Sequence, residues 1–271
     1  MIRSISYGGG VQSSAMIVLA VQGHIDADVG LFANVGDDSE HPATLAYVRD
    51  VMVPWATGHK FPIHELRKVN VRGAHVGEET LWNRLMRPES RSLPIPIRMS
   101  NGAPGTRSCT ADYKIGVIGS WLRKHGATAA DPAIVNIGIS TDEIERAGRG
   151  RDASYERRTY PLLDLGLSRN DCMNIIAAAD LPVPGKSACF FCPFHRPATW
   201  AEMRRDEPEL FARAQLLEDT LNVRRDMHGK DHVWLTRFNK RLSDAIGVAQ
   251  DELDFSSDIG ATGCDEGVCF T

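Results

Sequence analysis

Residues 4–14 read Ser-Ile-Ser-Tyr-Gly-Gly-Gly-Val-Gln-Ser-Ser, a short strand-like run broken by three glycines at the head of an apolar stretch, Ala15 to Ala20. Strand, glycine turn and helix start in that order aim bare backbone N–H groups and the positive end of a helix dipole at one point, where an anion is stabilised. Gly8, Gly9 and Gly10 remove the Cβ atoms that would hold a phosphate away. Ser6, Ser13 and Ser14 add hydroxyls. The competing reading is a tight βα turn in which Ser13 only caps the helix. No Gly-Lys-Ser/Thr follows, so the turn is not a Walker A loop. Position 13 is Ser, so it is not the G-x-G-x-x-G dinucleotide turn either.

Downstream, strand-like and helix-like segments alternate. Asp28 to Ala33, Phe61 to Leu66 and Ala133 to Ile139 read as strands, whereas Pro42 to Trp55 and Ala111 to His125 read as helices. This predicts an α/β fold with a doubly wound, mostly parallel sheet and ligands at the carboxyl ends of its strands. The spacing divides the chain into a nucleotide-binding domain over 1–165 and a helical, cysteine-bearing part over 166–271. Residues 86–106, rich in Pro, Arg, Ser and Gly, are too long for an ordinary connection and read either as a mobile loop over the site or as a segment disordered when the site is empty.

With 31 Lys and Arg against 35 Asp and Glu, the net charge of -4 argues against a broad grip on nucleic acid. A local basic surface is still available at Arg146, Arg149, Arg151, Arg157 and Arg158. No apolar run is long enough to span a bilayer, and a cytoplasmic location is expected. There, six cysteines read as metal or redox groups before disulfides.

Cys189-Phe190-Phe191-Cys192-Pro193-Phe194-His195 places two thiolates on one turn. That suits zinc, an iron–sulfur cluster or a thiol–disulfide couple. Cys109 stands in a polar loop at a helix start, where a thiolate is favoured; Cys172 reads as core, and Cys264 and Cys269 lie in the tail. Asp37, Asp38 and Glu40 follow the second strand, placed either to hold Mg²⁺ or a ribose, or to cap the next helix. Asp142, Glu143 and Arg146 repeat the pattern after the strand ending at Ile139.

Together these blocks resemble the phosphoadenylyl-sulfate (PAPS) reductase family of the PP-loop, adenine nucleotide alpha hydrolase-like superfamily. Ser6 to Ser14 is similar to its modified PP-loop, and Phe32 to Asp37 to the segment facing the nucleoside. Arg107 to Ile115, Gly138 to Arg146, Tyr160 to Asp164, Leu181-Pro182 and the C-x-x-C follow in the family's order. The resemblance spans roughly residues 1–200. It implies an adenine nucleotide, ATP or adenylyl sulfate, at Ser6, Tyr7, Gly8, Gly9, Gly10, Gln12, Ser13, Asn34, Gly36, Asp37, Gly138, Asp142, Glu143 and Arg146. It further implies a 4Fe-4S cluster on Cys109, Cys189 and Cys192 with His195 as a further donor, zinc being the alternative. Lys114, Cys264 and Cys269 are then the residues assigned to the chemistry. Gln12 stands where ATP-cleaving members carry Asp, Cys109 is not followed by a second cysteine, and the reductase tail motif is missing. The activity implied is nucleotide-activated sulfur transfer to a nucleic acid or small molecule. The alternatives are thiol-dependent reduction of an adenylyl sulfate, and a zinc-stapled nucleotide-binding module without catalysis.

Overall fold

The computed structural model describes residues 1–73, 75–148 and 150–247. The tail cysteines Cys264 and Cys269 lie outside the described residues, as does Arg149.

Seven strands occur in the described chain: β1 (Arg3–Tyr7), β2 (Val29–Asn34), β3 (Ile63–Arg67), β4 (Val69–Asn70), β5 (Gly77–Glu78), β6 (Ala133–Asn136) and β7 (Glu156–Thr159). Five form one sheet in the order β3-β2-β1-β6-β7. Every pairing in it is parallel, with Ile5 opposite Gly30 on one side and Asn136 on the other. β4 and β5 make a separate antiparallel pair.

Parallel strands need crossovers, and crossovers bury both faces of a sheet. β2 accordingly is buried at all six positions. On one face Ile5, Tyr7 and Phe32 pack with Val11, Met16, Ile17 and Val18 of helix α1 (Val11–Val21). Cys172 and Ile176 of the helix Arg169–Ala178 close the same cluster. Cys172 is thus core, as its sequence neighbours suggest, and burial raises its thiol pKa to about 12. On the other face Leu31, Ala33, Val135 and Ile137 meet Ile118 and Leu122 of the helix Gly116–Lys124.

The chain forms two compact units: residues 1–78 with 110–188, and residues 79–109 with 189–247 among those described. The first holds the parallel sheet and continues past residue 165, because the helix Arg169–Ala178 shares the α1 core. The second is built on the helices Leu81–Met86, Pro197–Asp206, Pro208–Asp226 and Leu242–Ala245. The long Pro- and Arg-rich segment belongs to this unit and is pinned there. Ile95 and Ile97 are buried, and Arg98 exchanges backbone hydrogen bonds with Trp234 at 2.8 and 2.9 Å. Arg224 adds donations to the carbonyls of Leu85 and Arg87 at 2.7 and 2.6 Å. These contacts hold the segment within its own unit, and the local composition does not reveal them.

Candidate functional site

The glycine turn joins the carboxyl end of β1 to α1. Gly10 is the N-cap in extended conformation and no side chain caps the helix, so its first-turn amides are left for another acceptor. Ser13 does not cap it. Its hydroxyl receives the Gly8 amide at 3.2 Å and donates to the Gly10 carbonyl at 3.2 Å, which staples the turn upon itself. Ser187 holds the same turn from outside by donating to the Gly8 carbonyl.

The three glycines have different reasons to be glycine. Gly9 is buried with φ +75, and a Cβ there would stand 2.9 Å from Val48 Cγ2 and 3.0 Å from Thr44 Cγ2. Packing, not ligand approach, explains Gly9. Gly8 and Gly10 are half-buried, and a Cβ on Gly10 meets only Ser187 at 3.5 Å. Gly138 is likewise structural. A Cβ there would lie 3.2 Å from the Ser13 amide nitrogen, so the end of β6 can approach the start of α1 only as glycine.

Gln12 stands in the first turn of α1 with 7% of its surface exposed. Its Oε1 accepts from Arg169 Nη1 at 3.0 Å, which fixes the amide so that Nε2 faces the other way. Nε2 is buried and has no hydrogen-bond partner among the described residues. A buried orphan donor of this kind costs about 1–3 kcal/mol unless something accepts from it. It stands beside uncapped helix amides, so the turn carries a set of donors with no side-chain acceptor among the described residues. Arg169 and Ser187 give no local sequence signal, because they reach the turn from 157 and 179 residues away.

Other expected residues are committed elsewhere. The Tyr7 side chain is fully buried core, and burial pushes its phenol far above the ordinary range. Asp37 is gripped by Arg49 at 2.8 Å and Arg67 at 2.6 Å, and Glu65 lies in the same network. Hydrogen bonds from Arg49 first, against some desolvation, hold the Asp37 carboxyl at about 2. Asn34 organises that network by donating to Asp37 at 2.7 Å and Glu65 at 2.8 Å, while its Oδ1 receives the Gly36 amide. These carboxylates are charge-compensated by Arg49 and Arg67 within the protein. Asp142 takes the Arg169 amide at 2.5 Å and the Ser140 hydroxyl at 3.2 Å, and so caps the helix Arg169–Ala178 from outside. Glu143 and Arg146 form a buried ion pair at 2.8 Å. Lys114 is buried in the π-helical turn Ala111–Ile115, its Nζ 3.8 Å from Glu40 Oε1.

In the second unit, Cys109, Cys189 and Cys192 are all half-buried. The C-x-x-C turn is closed by the Cys192 amide donating to the Cys189 carbonyl at 3.1 Å. His195 Nε2 lies 2.9 Å from that same carbonyl, and its ring stacks edge-on against Trp200 at 5.0 Å. A carbonyl only accepts, so Nε2 carries the proton and braces the turn. Among the described residues no group of three or more His, Cys, Asp and Glu side chains is set to hold a metal ion. The expected ligand set of Cys109, Cys189, Cys192 and His195 is therefore not assembled in this arrangement, and the C-x-x-C pair stands as two thiols on one turn.

These features define the chain as an α/β protein with an all-parallel five-stranded sheet and a donor-lined glycine turn at the carboxyl end of its central strand. No protein-family model, no curated protein and no solved structure matches it. Among the described residues no helix is long and apolar enough to cross a membrane.

Proposed function

We propose that this chain binds an adenine nucleotide by its phosphate groups at the Gly8–Gly10 turn and uses it in sulfur chemistry, as a PP-loop protein resembling the PAPS reductase family. The observation that carries the reading is the buried, partnerless Nε2 of Gln12 beside the uncapped amides of α1. Together they form a donor surface that a phosphate or sulfate oxygen satisfies. The parallel sheet order and the ordered sequence blocks support the same assignment.

In the first form of the reaction, an acceptor oxygen attacks the α-phosphorus and pyrophosphate leaves. A sulfur nucleophile then displaces AMP from the activated carbon. The turn's donors neutralise the charge that grows on the phosphate oxygens. The acceptor is a nucleic acid or a small molecule, and a sulfur donor or thiol reductant completes the reaction. Gln12 itself favours a second form, reduction of an adenylyl sulfate. An amide donor binds an oxyanion directly, whereas a carboxylate would recruit Mg²⁺. In that form a tail thiol, Cys264 or Cys269, attacks the sulfate sulfur and releases the nucleotide.

A 4Fe-4S cluster on Cys109, Cys189 and Cys192, with zinc as the alternative, belongs to this reading. The described residues do not assemble that set. Metal and sulfide analysis of protein purified without oxygen tests it. Iron with matching sulfide, both lost in Cys189→Ala, is the expected result. Zinc without sulfide would replace it with the stapled module. Metal-free protein that still binds ATP would remove the cluster and leave the nucleotide site standing.

A further inference from the structure

The face of the sheet opposite α1 carries a second concavity, a pocket of about 220 Å³. Its floor is aliphatic, from Ile118, Val135 and Ile137. Strand alternation turns Ser6 to this face while Ile5 and Tyr7 enter the α1 core. Two polar side chains line the pocket although both are more than nine-tenths buried: Ser6 at 3% and Glu156 at 8% exposure. Glu156 lies in the same wall, where burial raises its carboxyl pKa above the ordinary value. Arg158, held by Asp152 at 2.6 Å, and Arg151 stand at the same pocket.

An apolar floor with the Ser6 hydroxyl, the Glu156 carboxyl and the Tyr160 ring at its walls fits a planar ring bearing hydrogen-bonding edges better than it fits an aliphatic chain. The size fits one ring system. Pockets for whole cofactors run from about 300 to 1,000 Å³. Guanidinium groups at the wall suit a π-system, over which they stack.

We infer that this pocket binds a planar amino-heterocycle of nucleobase size, its exocyclic amino group donating to Glu156 and a ring edge meeting Ser6. The site is separate from the glycine turn and does not depend on the nucleotide reading. Should both hold, the pocket is where a base-bearing sulfur acceptor is recognised.

The test is a titration of the protein with free adenine, cytosine and uracil, followed by methyl NMR. Ile118, Val135 and Ile137 report on this pocket, and Val11 and Val18 on the glycine-turn face. The expected result is saturable shifts of the first three methyls with adenine or cytosine, unchanged by saturating ATP. Binding should be at least tenfold weaker with uracil, which lacks the amino group, and at least tenfold weaker in Glu156→Gln. Absence of shifts in the wild-type protein overturns the proposal whatever the variant does. So does displacement by ATP, equal binding of uracil, or full affinity in a folded Glu156→Gln protein. ATP binding at the turn with no base binding here would sink this inference and leave the nucleotide reading intact.

Discussion

Gly9→Val is expected to destabilise the first unit by about 3 kcal/mol, while Gly10→Ala, one residue along, is expected to be nearly silent. Two costs add at Gly9. Its φ of +75 is a left-handed conformation that an L side chain enters at about 1–2 kcal/mol. Its Cβ would also sit 2.9 Å from Val48 Cγ2 and 3.0 Å from Thr44 Cγ2. Forcing extra carbons into a packed region costs about 1–3 kcal/mol more. Gly10 has φ -99, and its added methyl meets Ser187 at an ordinary 3.5 Å. Urea unfolding reads the difference. With m-values of about 1–3 kcal/mol/M, Gly9→Val should lower the midpoint by at least about 1 M. Equal midpoints for the two variants would mean that the turn is not packed as described.

Lys114→Met is the second large effect. Lys114 and Glu40 have side chains 6% and 1% exposed, with Nζ and Oε1 3.8 Å apart. Removing the ammonium leaves the Glu40 carboxylate buried without that counter-charge, and breaking such a pair costs about 3–5 kcal/mol. Adding Glu40→Gln removes the stranded charge, so the double variant should recover most of the loss. That recovery is the signature of a structural pair. If Lys114→Met keeps wild-type stability and loses only activity, the lysine serves the chemistry rather than the packing.

The parallel sheet was readable because buried strands leave continuous apolar runs. Val135, Ile137 and Ile139 announce the β6 region, and the glycine turn marks where β1 ends. β7 was not readable. Glu-Arg-Arg-Thr has no apolar alternation, and as an edge strand paired only with β6 it needs none. The turn itself was legible, but the work of its residues was not. Ser13 looks like a phosphate donor until Gly8 and Gly10 claim its hydroxyl. Asp37 looks like an unpaired carboxylate until Arg49 and Arg67 arrive from 12 and 30 residues away. Composition says which groups exist; only tertiary pairing says which of them are already spent. Gln12 is the opposite case, since burial turned an ambiguous polar residue into a donor without a partner among the described residues.

The central claim is that the glycine turn and Gln12 hold the phosphate or sulfate groups of an adenine nucleotide. Calorimetric titration of the wild-type protein and Gln12→Glu with ATP, adenylyl sulfate and its 3′-phosphorylated form, each with Mg²⁺ and with chelator, tests it most directly. The account predicts saturable wild-type binding of at least one of the three that persists in chelator. It also predicts at least tenfold weaker binding once a carboxylate replaces the amide donor. No saturation by any of them at millimolar concentration, or unchanged affinity in Gln12→Glu, would contradict it.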